Sequence, residues 1–279
     1  MKLLNPQQTE KLAFAVLWLA AALAVLPILA IIAVMVYRGG SGLSGSLLFR
    51  VEAGLLPAIV GTLLLVGLTA LFAAPLGIAA AIYLREYARN GPSVRLIRLA
   101  VVNLAGVPSV VYGLFGLALF VTLLHFGRSL LAGACTLSLL VLPLIISTSE
   151  EALRQVPRGL REASLALGAT KWQTVRRVVL PNALPGIITG LILSISRAAG
   201  ETAPILFTAA FFSLTRPFPK SVFDPILVLP YQLFVMATEV PNVPSATKWA
   251  TALVLVLVVL GLNLLAIILR TRLRGLQRW

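Results

Sequence analysis

Histidine and cysteine are almost missing: His125 and Cys135 are the single examples of each in 279 residues. No disulfide can close within the chain, and no His/Cys metal site can be assembled from it. Acidic residues are scarce as well. Nine Asp and Glu stand against 23 Lys and Arg, a net charge of +14, and charged residues together make up 11% of the chain. A soluble domain carries about a quarter. No lysine follows a glycine either; the five lysines follow Met1, Glu10, Thr170, Pro219 and Thr247. A phosphate-cradling P-loop needs a Gly-Lys pair, so this chain carries no nucleotide engine of that kind.

Apolar residues fill the space, at 59% of positions and a mean hydropathy of +0.99. They come as continuous runs, and roughly 20 helical residues cross a bilayer. The runs predict six spans, at about 12–37, 57–84, 99–124, 129–148, 182–212 and 249–269. The first is too long for a signal-peptide core and reads as a retained span. Hydrocarbon offers the backbone no partner, so these segments must be helices. The expected fold is all-α, an integral membrane protein forming one domain over 1–279, without internal repeats.

Charge placement orients it. With the N-terminus cytoplasmic, Arg38, Arg50, Arg128, Arg216, Lys220 and Lys248 fall outside, Arg197 lies within a span, and the other 16 of the 23 cations fall inside. That bias predicts both termini in the cytoplasm. It also assigns most of the cations to topology and lipid headgroups rather than to a nucleic-acid surface. Two connections are long: a basic cytoplasmic one over 150–181, and an external one over 213–248 that holds six prolines. Within the latter, Leu229 to Thr238 is apolar enough for a short helix at the outer surface.

The cytoplasmic connection predicts helix, break, helix. Glu162 to Leu167 favours helix, Gly168 supplies the permissive backbone that ends it, and Thr170 is placed to cap a second helix. Pro181 marks the return into the fifth span. The product is a stiff knob able to transmit force. Its spacing resembles the EAA loop of ABC importer permeases, which inserts into a groove on the ATPase subunit. Glu162, Ala163, Gly168, Leu180 and Pro181 fall on that motif, while Ser164 stands where alanine is commoner and Val178 where isoleucine is. The resemblance implies that Glu162, Ala163, Gly168, Ala169, Leu180 and Pro181 couple this chain to an ATPase.

Arg197 and Glu201 lie four apart within the fifth span. Ionisable groups at that depth cost about 2.5–3.5 kcal/mol each and normally face the protein interior or an aqueous path. At 100° per residue, Gly190, Ser194, Arg197, Glu201 and Thr208 project onto one stripe, and Gly200 and Pro204 bracket an expected kink. Two readings stay open. Either the pair is a structural ion pair, or Arg197 offers its planar donor fork to a passing oxyanion, with Glu201 and Ser194 lining the same route.

Residues 197–211, Arg-Ala-Ala-Gly-Glu-Thr-Ala-Pro-Ile-Leu-Phe-Thr-Ala-Ala-Phe, resemble the signature of PstA-type permeases of bacterial phosphate importers. So do Gly106-Val-Pro-Ser-Val-Val-Tyr-Gly-Leu-Phe-Gly116, and Leu142-Pro-Leu-Ile-Ile across to Glu150-Glu151-Ala-Leu-Arg154. The resemblance implies an inner-membrane permease that is no enzyme itself and holds no cofactor. It implies a PstC-type partner in a heterodimer, an ATPase dimer binding ATP and Mg on the inside, and a periplasmic phosphate-binding protein outside.

Other classes fit less well. An ion-coupled secondary transporter would have no use for the knob. An intramembrane enzyme would need a nucleophile and a base within a span, and His125, at the outer end of the third span, lacks partners. A scaffold would leave Arg197 unexplained.

Overall fold

The computed structural model describes residues 6–50, 54–89, 91–211 and 218–275. Lys2, Phe212, Ser213, Arg216, Pro217 and Arg278, all used above, lie outside the described residues. Helices dominate: α1 (Pro6–Gly40), α2 (Gly45–Phe49), α3 (Leu56–Ile82), α4 (Pro92–Ala105), α5 (Ser109–Gly116), α6 (Leu130–Gln155), α7 (Arg158–Ala166), α8 (Lys171–Thr174), α9 (Leu180–Gly200), α10 (Ala203–Thr208), α11 (Leu229–Thr238) and α12 (Ser245–Gly275). Wide π turns extend α3 through Tyr83–Tyr87, extend α5 through Leu117–Leu123, and lead into α9 over Val175–Val179.

Among the described residues, five helical segments are long and apolar enough to cross a membrane, and a sixth candidate is the pair α4–α5. That pair corrects the expected straight span at 99–124: its halves meet at 101°. The bend falls at Gly106-Val107-Pro108. Pro108 lacks an N–H and pushes Val107 out of helical geometry, so the ladder stops there. Tyr112 braces the corner, its hydroxyl donating to the Leu104 carbonyl at 2.9 Å. The expected span at 182–212 breaks between Gly200 and Pro204, where the kink was expected. Its helix ends at Gly200, and a short second helix begins at Ala203. In the other direction, α6 runs on to Gln155 and absorbs the start of the cytoplasmic connection.

α6 is the central helix, with 67% of its apolar stretch buried against 6% for α1. It packs between α3 and α9, while α12 joins α9, α11 and the end of α1. Buried hydroxyls within these helices donate to the carbonyl one turn back: Thr62 to Ala58, Thr69 to Leu65, Thr136 to Ala132, Ser138 to Ala134 and Thr208 to Pro204. With no water at that depth, such bonds satisfy groups that would otherwise be orphaned. α11 is seated rather than lying loose. Leu229 and Pro230 are buried, and the Leu229 N–H donates to Thr62 Oγ1 of α3 at 2.9 Å.

Small residues set the close approach of α9 to α6. A Cβ at Gly190 would collide with the Thr148 side chain, and one at Gly186 would lie 2.7 Å from the Ala152 Cβ. Gly190→Val is therefore expected to overpack this interface by about 1–3 kcal/mol. Thermal unfolding in detergent should show the loss, and Thr148→Gly should restore part of it; an unchanged unfolding temperature would contradict this packing.

Candidate functional site

Two places were singled out by the sequence, and the structure brings the residues of each together unequally. In the knob, α7 ends at Ala166 and the backbone turns left-handed at Gly168 (φ +82°). The Gly168 N–H donates to the Leu165 carbonyl (3.0 Å) and the Ala169 N–H to that of Ser164 (3.2 Å). This is the reciprocal pair of a Schellman stop, a conformation that favours glycine. Thr170 then starts α8 with a capping box: its Oγ1 accepts from the Gln173 N–H (3.3 Å), and the Gln173 Oε1 accepts from the Thr170 N–H (2.8 Å). Ser164 Oγ and Thr174 Oγ1, 2.9 Å apart, tie the two short helices together.

The knob's outward surface carries Glu162, Ala163 and Gly168 together with exposed Leu160, Leu165, Leu167 and Trp172. Leu167 is 89% exposed. Leu180 and Pro181 sit differently. They are half-buried at the start of α9, and Leu180 packs on the cluster of Leu153, Val156, Val179, Ala183 and Ile187. Ala169 is also half-buried. These three are half-buried, whereas Glu162, Ala163 and Gly168 are exposed.

The second place is the end of α9. Arg197 lies in its last turn, where a cation is favoured by the negative end of the helix dipole. Its Nε lies 3.5 Å from Glu201 Oε1, with side-chain exposures of 48% and 18%. The single stripe expected from the helical projection does not form. α9 breaks at Glu201, whose backbone is extended (φ −75°, ψ 133°), so the 100° step does not carry on to Thr208. Gly190, Ser194 and Thr208 turn inward instead. Ser194 is fully buried, and its hydroxyl donates to the Gly190 carbonyl at 2.8 Å. It is not presented with Arg197. The exposed neighbours of Arg197 are Leu193 and Gly200.

Sequence reasoning quoted Tyr112 in a motif without its place at the corner, and missed a partly buried ion pair beneath the knob, Arg161 with Glu86 at 2.8 Å. No short motif links positions 75 apart, and a cytoplasmic arginine reads by default as a topology signal. Among the described residues no cluster of His, Cys, Asp and Glu could hold a metal ion.

Residues 73–277 match the family described as binding-protein-dependent transport system inner membrane component. The phosphate transport system permease protein PstA 1 of Mycobacterium tuberculosis is 40% identical over 229 residues, covering 82% of this chain and 74% of that one. The PstA permease of Haemophilus influenzae is 36% identical over 76% of this chain and 74% of its own length. A probable ABC transporter permease of Bacillus subtilis, YqgI, is 33% identical over 94% of this chain and 95% of its own. Among solved structures, a bacterial ABC transporter that imports the acidic polysaccharide alginate superposes with TM-score 0.65 at 16% identity, covering 95% of this chain and 96% of that one. The MetNI methionine ABC transporter gives TM-score 0.64 at 19% identity, over 78% and 95%. The solved structures establish the fold, a type I ABC importer permease, and the identities establish the kinship: this chain belongs to the binding-protein-dependent transport system inner membrane components, among their PstA-type permeases.

Proposed function

We propose that this chain is the membrane-spanning subunit through which an ATP-driven importer passes inorganic phosphate into the cytoplasm. The observation that carries the substrate is its 36–40% identity to chains named as phosphate transport permeases. Members of this permease family are not enzymes, and ATP hydrolysis belongs to a separate subunit. On this reading a PstC-type permease pairs with it, an ATPase dimer holding ATP and Mg meets the outward face of the knob, and a periplasmic phosphate-binding protein docks outside. Arg197 meets the anion and Glu201 balances it between passages, while Ser194 only shapes the α9–α6 contact. An external engine is required on energetic grounds. Moving a divalent anion inward against ~100 mV costs about 4.6 kcal/mol, and a thousandfold gradient adds roughly 4 kcal/mol.

The test is uptake of labelled inorganic phosphate by proteoliposomes holding the four-component complex, with and without internal ATP. ATP-dependent accumulation is expected. Flux by this chain alone without ATP would favour a secondary transporter, and accumulation of sulfate in place of phosphate would overturn the substrate. The same reading places both termini in the cytoplasm. In a Cys135→Ala background, thiol reagents applied outside intact cells should fail to label Asn5→Cys or Gln277→Cys, and efficient labelling of either would reverse the topology.

A further inference from the structure

Most cations of the cytoplasmic face are exposed, as a topology signal should be; Arg158, Arg176 and Arg177 all are. Arg161 is different. Its side chain is 17% exposed and that of its partner Glu86 is 9%. Nη2 donates to Glu86 Oε1 (2.8 Å) and to the Leu153 carbonyl (2.8 Å), Nη1 donates to the Val156 carbonyl (2.6 Å), and Nε faces Glu86 Oε2 at 3.4 Å. One guanidinium therefore closes three elements on each other. It belongs to α7, it caps the last carbonyls of α6, and it grips the end of α3 through a two-pronged carboxylate contact. The π turn Tyr83–Tyr87 makes this possible. Its wider winding, closed by the Ala88 N–H on the Tyr83 carbonyl (2.8 Å), brings Glu86 and Tyr87 to the knob. Lys171 of α8 adds a second attachment, its Nζ 5.2 Å from the centre of the Tyr87 ring.

The other end of α3 is also attached, through Thr62 to the external helix α11. A helix of its 27 residues is roughly 40 Å long. We propose that Arg161 is a positioning residue which, through Glu86, joins the knob and the inner ends of α3 and α6 into one rigid lever. A push on the knob then displaces α3, and with it the outer surface, instead of flexing the loop. This rests on the proposed transport function and names the residues that carry force within it.

Glu86→Gln removes the charge of the pair and leaves its shape. In the reconstituted complex, phosphate moved per ATP hydrolysed should fall by roughly fivefold or more, the lower end of ordinary coupling between distant sites. ATP hydrolysis per assembled complex should persist. Arg161→Lys should behave the same way, because an ammonium cannot serve both carbonyls and both carboxylate oxygens. A merely structural pair would lower uptake and hydrolysis in proportion to surviving complex, and lysine would rescue it; either result overturns the proposal. A second measurement needs no substrate. In a Cys135→Ala background, spin labels at Tyr83→Cys and Arg158→Cys should keep one separation with and without ATP, and should lose that constancy once Glu86 is Gln. A separation that changes with ATP while Glu86 is intact overturns the lever. If the native complex moves no phosphate, the transport reading fails, and the spin-label distances still decide the lever.

Discussion

Phosphate uptake is expected to fall about ten- to a hundredfold in Arg197→Ala, the equivalent of losing roughly 1.5–3 kcal/mol of charged hydrogen bonding to the anion. Arg197→Lys should recover only part, since lysine keeps the charge and loses the fixed fork. The geometry at the end of α9 favours this outcome over a structural ion pair. A single 3.5 Å approach with the arginine side chain 48% exposed is a loose contact, and pairs of that kind are worth about 0–1 kcal/mol. Such a gain does not offset placing two ionisable groups at membrane depth. The decisive variant removes both charges, Arg197→Gln with Glu201→Gln, assayed at normal membrane abundance. Loss of uptake with ATP hydrolysis intact would place Arg197 on the anion's route. Near-normal uptake would leave only an ion pair.

Gly168→Pro should abolish ATP-driven uptake, leaving the chain inserted and its termini where they were. Proline holds φ near −65°, against +82° in the native turn. It also deletes the N–H that bonds the Leu165 carbonyl. The turn must then reopen, and α8 leaves its place beside α7 while the membrane helices are untouched. Gly168→Ala is the graded control: an L-residue in the left-handed region costs about 1–2 kcal/mol, so uptake should be weakened and not lost. Glu162→Lys tests the outward face without bending it, since Glu162 is exposed on α7, and should impair uptake by charge alone. Normal uptake by Gly168→Pro would remove the knob from the mechanism, and failure to insert would assign it a folding role.

Much of the architecture was readable from the chain alone because membranes impose one-dimensional rules. A backbone without water must be helical, and thickness sets length. The α11 boundaries, Leu229 to Thr238, match the expectation residue for residue, as do the stop at Gly168 and the cap at Thr170. Each is a local rule about caps, turns and apolar runs. The failures were local rules carried too far. Helical projection placed Ser194, Arg197 and Thr208 on one face; the break after Gly200 takes Thr208 off that continuation, while within α9 itself the roughly 60° between Ser194 and Arg197 leaves the first buried and the second exposed. Proline in the expected third span had been absorbed as an ordinary membrane helix residue, as Pro27, Pro75, Pro143 and Pro185 are. Only packing against α6 and α10 shows that Pro108 turns the chain through 101°. The Arg161–Glu86 pair depended wholly on tertiary structure. Nothing in either residue's neighbours distinguishes it from the exposed cations and carboxylates around it. Burial and a partner 75 positions away become visible once α3, α6 and α7 are brought together in space.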